Sequence, residues 1–91
     1  MSAVSREVQI TNKRGLHARA SAKFVNMASE LDAQIEVEKD GNRVCGTSIM
    51  GLMMLGAATG SKITIAATGN EAAAVADALE KLVSSGFGEE D

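Results

Sequence analysis

The stretch Ala33-Gln34-Ile35-Glu36-Val37-Glu38 constrains the fold more than any other part of the chain. Apolar and polar residues alternate, so a strand here buries Ala33, Ile35 and Val37 and leaves the other face in water. Such a strand belongs to an antiparallel sheet with one solvated side, since parallel sheets are covered on both faces and read as continuous apolar runs. Asp40-Gly41-Asn42 then reads as a tight turn, and Arg43 to Gly46 as the returning strand of a hairpin.

The remaining segments fit around that hairpin. Glu7 to Thr11 has a period of two, with Val8 and Ile10 inward, and Asn12 to Gly15 is a polar loop ending in glycine. From Ala18 the spacing turns helical: Ala22, Val25 and Met27 to Ala28 recur every three to four residues, Phe24 lies on the same side, and Leu31 closes the stripe. Ser48 before the apolar run Ile49 to Leu55, with Gly56 after it, predicts a short helix with an N-cap and a C-cap. Lys62 to Ala67 reads as a strand through Ile63 and Ile65. Glu71 to Val83 reads as a helix through Ala72, Val75, Ala76, Leu79, Leu82 and Val83, with Asn70 or Gly69 as its cap. The order β-α-β-β-α-β-α predicts an α+β fold, with helices packed on one face of an antiparallel sheet. At 91 residues the chain, 1–91, is expected to be one domain. Its core is placed at about 6–85, and the acidic tail 86–91 is expected to be flexible.

Composition removes several function classes. The net charge is −3, the chain ends Glu89-Glu90-Asp91, and Phe24 and Phe87 are the only aromatics. Neither a basic face nor base-stacking platforms for nucleic acid are therefore expected. No apolar run reaches the roughly 18 residues a membrane span needs, and Met1 to Arg6 lacks the apolar stretch of a secretory signal. The single cysteine excludes an internal disulfide and points to a reducing compartment, so the cytoplasm is expected. Cys45 itself is read as a small buried residue of an inner strand. One histidine, with no cysteine pair and no clustered carboxylates, argues against a metal, and no cofactor is expected. With so few aromatics, a shallow protein-facing surface is expected rather than a deep small-molecule pocket.

That one histidine, His17, stands where the first loop meets the first helix. A helix N-terminus presents unpaired N–H groups and partial positive charge, which together favour an anion such as phosphate. A neutral imidazole there has a lone pair that can attack phosphorus. Arg19, two residues on, could reach phosphoryl oxygens with its guanidinium fork, and Gly15 lets the backbone bend just before the histidine. A lone histidine at a helix start is also commonly a plain surface or capping residue, and spacing alone leaves both readings open.

Gly15-Leu16-His17-Ala18-Arg19, followed by Ala22, Phe24 and Val25, resembles the active-site signature of the HPr-type phosphocarriers of the phosphoenolpyruvate-dependent phosphotransferase system. Thr47-Ser48-Ile49-Met50-Gly51-Leu52-Met53-Met54-Leu55-Gly56 resembles that family's regulatory-serine signature, and the likeness covers about residues 6 to 85. The resemblance implies an open-faced β-sandwich, with three helices on one face of a four-stranded antiparallel sheet. It implies that His17 accepts a phosphoryl group on Nδ1 (pros-phosphohistidine) from phosphorylated enzyme I and donates it to an EIIA-type domain, with Arg19 steadying the phosphate. It also implies that Ser48 becomes phosphoserine where an HPr kinase/phosphorylase is present. One residue departs from the family pattern: Ala20 stands where proline is usual.

Ser48 alone would be read as an N-cap. A phosphate there would sit comfortably at the helix end and add negative charge beside an interface. The run 49–55 holds more apolar residues than a two-turn helix can bury. Leu52 and Leu55 are expected in the core, and Ile49, Met50 and Met53 in an adaptable partner-binding patch. The chain is thus expected to be a monomeric relay component with a covalent intermediate, serving sugar uptake or regulation, rather than a free-standing enzyme. The alternative is a non-transferring regulatory module of the same fold that works through protein–protein contacts.

Overall fold

A computed structural model describes residues 3–89. The strands are β1 (Ala3–Gln9), β2 (Gln34–Lys39), β3 (Asn42–Cys45) and β4 (Lys62–Thr68). The helices are α1 (Ala18–Ala28), α2 (Ile49–Met54) and α3 (Ala72–Ser84). The strands form one sheet in the order β1-β4-β2-β3, antiparallel at every pairing. The register places Val8 opposite Ile63, Ile35 opposite Ala67, and Val37 opposite both Ile65 and Val44. Because side chains alternate along a strand, this pairing gathers the apolar residues on one face. Ala20, Phe24, Ala28, Leu52, Val75, Ala76, Leu79 and Val83 of the helices join those sheet residues in a single buried cluster. The α+β open-faced sandwich expected from the sequence is the observed architecture. Among the described residues no helix is long and apolar enough to cross a membrane.

Five local features differ from expectation. β1 begins at Ala3, not Glu7, and Ala3 pairs with Thr68. Its apolar pattern is interrupted by Arg6, which leans over the rim of the core to Asp77 (3.1 Å) and Glu80 (3.6 Å) of α3. Charge at that position hid a strand whose Val4 still packs on the core. The core face of α1 follows Ala20, Phe24 and Ala28, with Ser21 beside them, rather than a stripe centred on Ala22 and Val25. The α3 cap is Glu71, not Asn70 or Gly69. The Glu71 carboxylate instead accepts from the Asp32 N–H (2.6 Å), and the Asn70 amide donates to the Asp32 carboxylate (3.0 Å). Cys45 is exposed, because β3 is an edge strand and its alternation turns Val44 inward and Cys45 outward opposite Glu36.

The fifth difference is the tail. Gly86–Gly88 forms a 3₁₀ turn, and Phe87 is only 1% exposed. Gly86, Phe87 and Gly88 all have positive φ, at 69°, 59° and 70°. That conformation costs a bulky residue about 1–3 kcal/mol, and burial of an aromatic ring offsets it by a similar amount, about 1.5–3 kcal/mol. The Lys23 ammonium also donates to the Phe87 carbonyl (2.7 Å). The buried core therefore extends past residue 85 to Phe87, and residues 90 and 91 of the tail expected to be flexible lie outside the described part.

Candidate functional site

The site begins with a tightly folded loop. Gly15 N–H donates to the Asn12 carbonyl (3.2 Å), and the buried Asn12 amide returns a bond to the Gly15 carbonyl (2.9 Å). Leu16 is buried, and its N–H donates to the Ala57 carbonyl (3.0 Å), tying the loop to the segment that leaves α2. Its carbonyl accepts from the buried Ser21 hydroxyl (3.2 Å). Gly15 has φ +63°, and a Cβ placed there would lie 2.2 Å from the Ala57 carbonyl oxygen. Both the backbone angle and the close approach demand glycine. Gly15→Ala is expected to lower stability by about 2–3 kcal/mol, read as an earlier urea midpoint with an unchanged slope. An unaltered midpoint would mean that the loop can shift away from Ala57.

His17 follows in extended backbone (φ −74°, ψ 179°) and is the N-cap of α1. Its Nδ1 accepts the Arg19 N–H (3.2 Å), and the first intrahelical bond runs from Ser21 N–H to the His17 carbonyl (2.9 Å). The amide of Ala20 precedes that first bond, so the helix ladder does not need the proline that is absent there. On the other side of the ring, Nε2 lies 2.5 Å from a Glu89 carboxylate oxygen. An acceptor role at Nδ1 and a carboxylate at Nε2 together assign the ring proton to Nε2. The lone pair of Nδ1 then points at the amide end of α1.

The Glu89 side chain is 13% exposed and the His17 side chain 22%. The second Glu89 oxygen accepts from the Asn12 amide (3.0 Å). Burial pushes the Glu89 carboxyl up. The hydrogen bonds from His17 and Asn12, with the positive charge of nearby Lys23, outweigh that effect and hold it below the usual carboxylate range. Glu89 is thus an ionised counter-group built into the site. Arg19 is exposed at the start of α1, and among the described residues it makes no ion pair.

Among the described residues no hydrogen bond or ion pair joins the other sequence-predicted residues to this cluster. Ser48 is half-buried and caps α2, its hydroxyl accepting the Gly51 N–H (3.0 Å). Leu52 and Leu55 are buried, while Ile49, Met50 and Met53 are exposed, joined by the more exposed Met54. Sequence reasoning missed Asn12, Ser21 and Glu89. Asn12 and Ser21 are short polar residues whose burial depends on how the loop closes. Glu89 had one legible signal: Phe87, half of the chain's aromatic content, stands two residues before it in an otherwise polar tail.

A loop that only glycine can close, a histidine lone pair aimed at helix amides and a nearby exposed arginine form a site suited to holding a phosphoryl group. Residues 4–85 match the family described as the PTS HPr component phosphorylation site. The chain is 45% identical over 86 residues to the phosphocarrier protein HPr of Neisseria meningitidis, covering 94% of this chain and 97% of that protein. It is 40% identical over 89 residues to the phosphocarrier protein NPr of Shewanella violacea, covering 98% of each. The crystal structure of HPr-C-His from Thermoanaerobacter tengcongensis superposes with a TM-score of 0.89 at 44% identity, covering 100% of both chains. The matching family spans nearly every element of the sandwich, and the chain belongs to the HPr family of phosphotransferase-system phosphocarriers.

Proposed function

We propose that His17 accepts a phosphoryl group on Nδ1 from phosphorylated enzyme I and passes it to an EIIA-type domain. The observation that carries this reading is the Nδ1 acceptor contact with the Arg19 N–H. When Nδ1 turns its lone pair to phosphorus, that amide is released to meet a phosphoryl oxygen. The positive end of α1 lies behind it, and the Arg19 guanidinium is within two residues. Transfer between histidines exchanges one P–N bond for another, so positioning and charge stabilisation matter more than a base. The test is to mix the purified protein with enzyme I and phosphoenolpyruvate. The expected product carries acid-labile, base-stable label, and a wild type that takes no label would sink the carrier reading.

The exposed Ile49, Met50 and Met53 supply the docking patch in this reading. Methionine side chains adapt to more than one partner, as a relay acting from a single face requires. The reading also includes a cytoplasmic monomer. Ser48 is the regulatory position: a phosphate on its hydroxyl would place about two negative charges beside that patch and weaken docking of an acidic partner. An HPr kinase/phosphorylase with ATP is expected to modify the wild type and not Ser48→Ala. That variant loses the α2 cap and about 1 kcal/mol of stability. Label persisting in Ser48→Ala would move the site elsewhere.

A further inference from the structure

Glu89 is held in place from three directions. Its carboxylate bridges His17 Nε2 (2.5 Å) and the Asn12 amide (3.0 Å), and the turn that delivers it is anchored by the buried Phe87 ring and the Lys23 bond to the Phe87 carbonyl. Asn12 is itself buried and fixed by its second bond to the Gly15 carbonyl. A surface glutamate in a polar tail has no need of such a mount. It resembles the buried carboxylate that orients a catalytic imidazole, fixes its tautomer and stabilises its cation without taking its proton.

We propose that Glu89 is a positioning residue for phosphoryl transfer at His17: its carboxylate keeps the proton on Nε2 and balances the positive charge the ring gains when Nδ1 bonds to phosphorus. This rests on the carrier reading above. In acceptance, the Nδ1 lone pair forms the new N–P bond while the donor's P–N bond breaks, its electron pair leaving with the donor's ring. No proton leaves His17, and the ring becomes a phosphoimidazolium with Nε2–H still bonded to Glu89. In donation, the P–N bond breaks and the pair returns to Nδ1, so the ring departs as neutral imidazole. Without the Nε2 proton it would have to depart as imidazolate, a far poorer leaving group. One carboxylate thus serves both directions of the relay, and neither direction requires a proton to move.

Glu89→Gln tests this, because the amide keeps the size of the side chain and can still accept from Asn12 while losing the charge. Thermal unfolding first establishes that the variant is folded. Phosphoryl uptake from phosphorylated enzyme I, and return from the isolated phosphoprotein to unphosphorylated enzyme I, are each expected to slow about tenfold, the scale of one charge-assisted hydrogen bond near the surface. Uptake from phosphoramidate, a small donor that needs no docking surface, should slow by a similar factor. In ¹⁵N-labelled protein the His17 Nε2–H proton resonance should lie far downfield in the wild type and move upfield in Glu89→Gln, which a purely structural role of the tail would not require. Equal rates in both directions for folded Glu89→Gln overturn the proposal. A wild type that takes no label from enzyme I or phosphoramidate overturns the carrier reading itself, so the two failures are distinguishable.

Discussion

His17→Ala should take up no detectable acid-labile phosphate from enzyme I and phosphoenolpyruvate, under conditions in which the wild type is labelled. The chain has one histidine, so no second imidazole can substitute. Alanine has no lone pair to form the N–P bond. The structural cost should be small beside this loss, because His17 is half-buried at a helix end rather than in the core. What disappears is the cap on the Arg19 N–H, worth about 1 kcal/mol, and the Nε2 bond to Glu89, whose carboxylate keeps the Asn12 amide. His17→Asn separates the two roles, since asparagine is a good N-cap and no phosphoryl acceptor. It should match the wild type more closely in thermal unfolding and match His17→Ala in taking no label. Label on either variant would place the accepting atom outside residue 17.

Phe87→Ala should lower the stability of the protein by about 3–4 kcal/mol, the usual cost of emptying a fully buried aromatic site. Against a typical total of 5–15 kcal/mol this is a large fraction. Alanine at φ +59° remains in the left-handed region, so the strain stays while the ring burial that offset it is gone. The turn is also what carries Glu89 to His17. The same variant should therefore lose the downfield Nε2–H resonance and show faster amide exchange at the end of α3, both measurable in one ¹⁵N experiment. A urea midpoint equal to that of the wild type would show that the tail contributes nothing to the fold.

The sandwich was legible because its strands are half-buried and its helices amphipathic. Ile35 and Val37, Ile63 and Ile65, and Val75, Ala76, Leu79 and Val83 each declare a period, and a period needs no knowledge of the partner. Where the sequence misled, a single residue broke the period or a contact was distant. Arg6 interrupts β1 because its partners, Asp77 and Glu80, lie more than seventy residues away. Cys45 looked like an inner residue, since nothing local says that β3 is the sheet edge.

The site divides in the same way. The residues 15–19 could be read as phosphate chemistry at a helix start, because glycine, histidine, N-cap position and arginine are neighbours in the chain. Sequence therefore determined the sandwich, the helix start and the candidate nucleophile. Only the tertiary structure placed a carboxylate on Nε2 of that ring and left Nδ1 as the acceptor facing the helix amides, because Glu89 stands 72 residues from His17 in sequence. The tail reads as a polar end until Phe87 finds the core. Burial of that ring is a long-range event with no local period to announce it, and it is what brings a carboxylate to the imidazole.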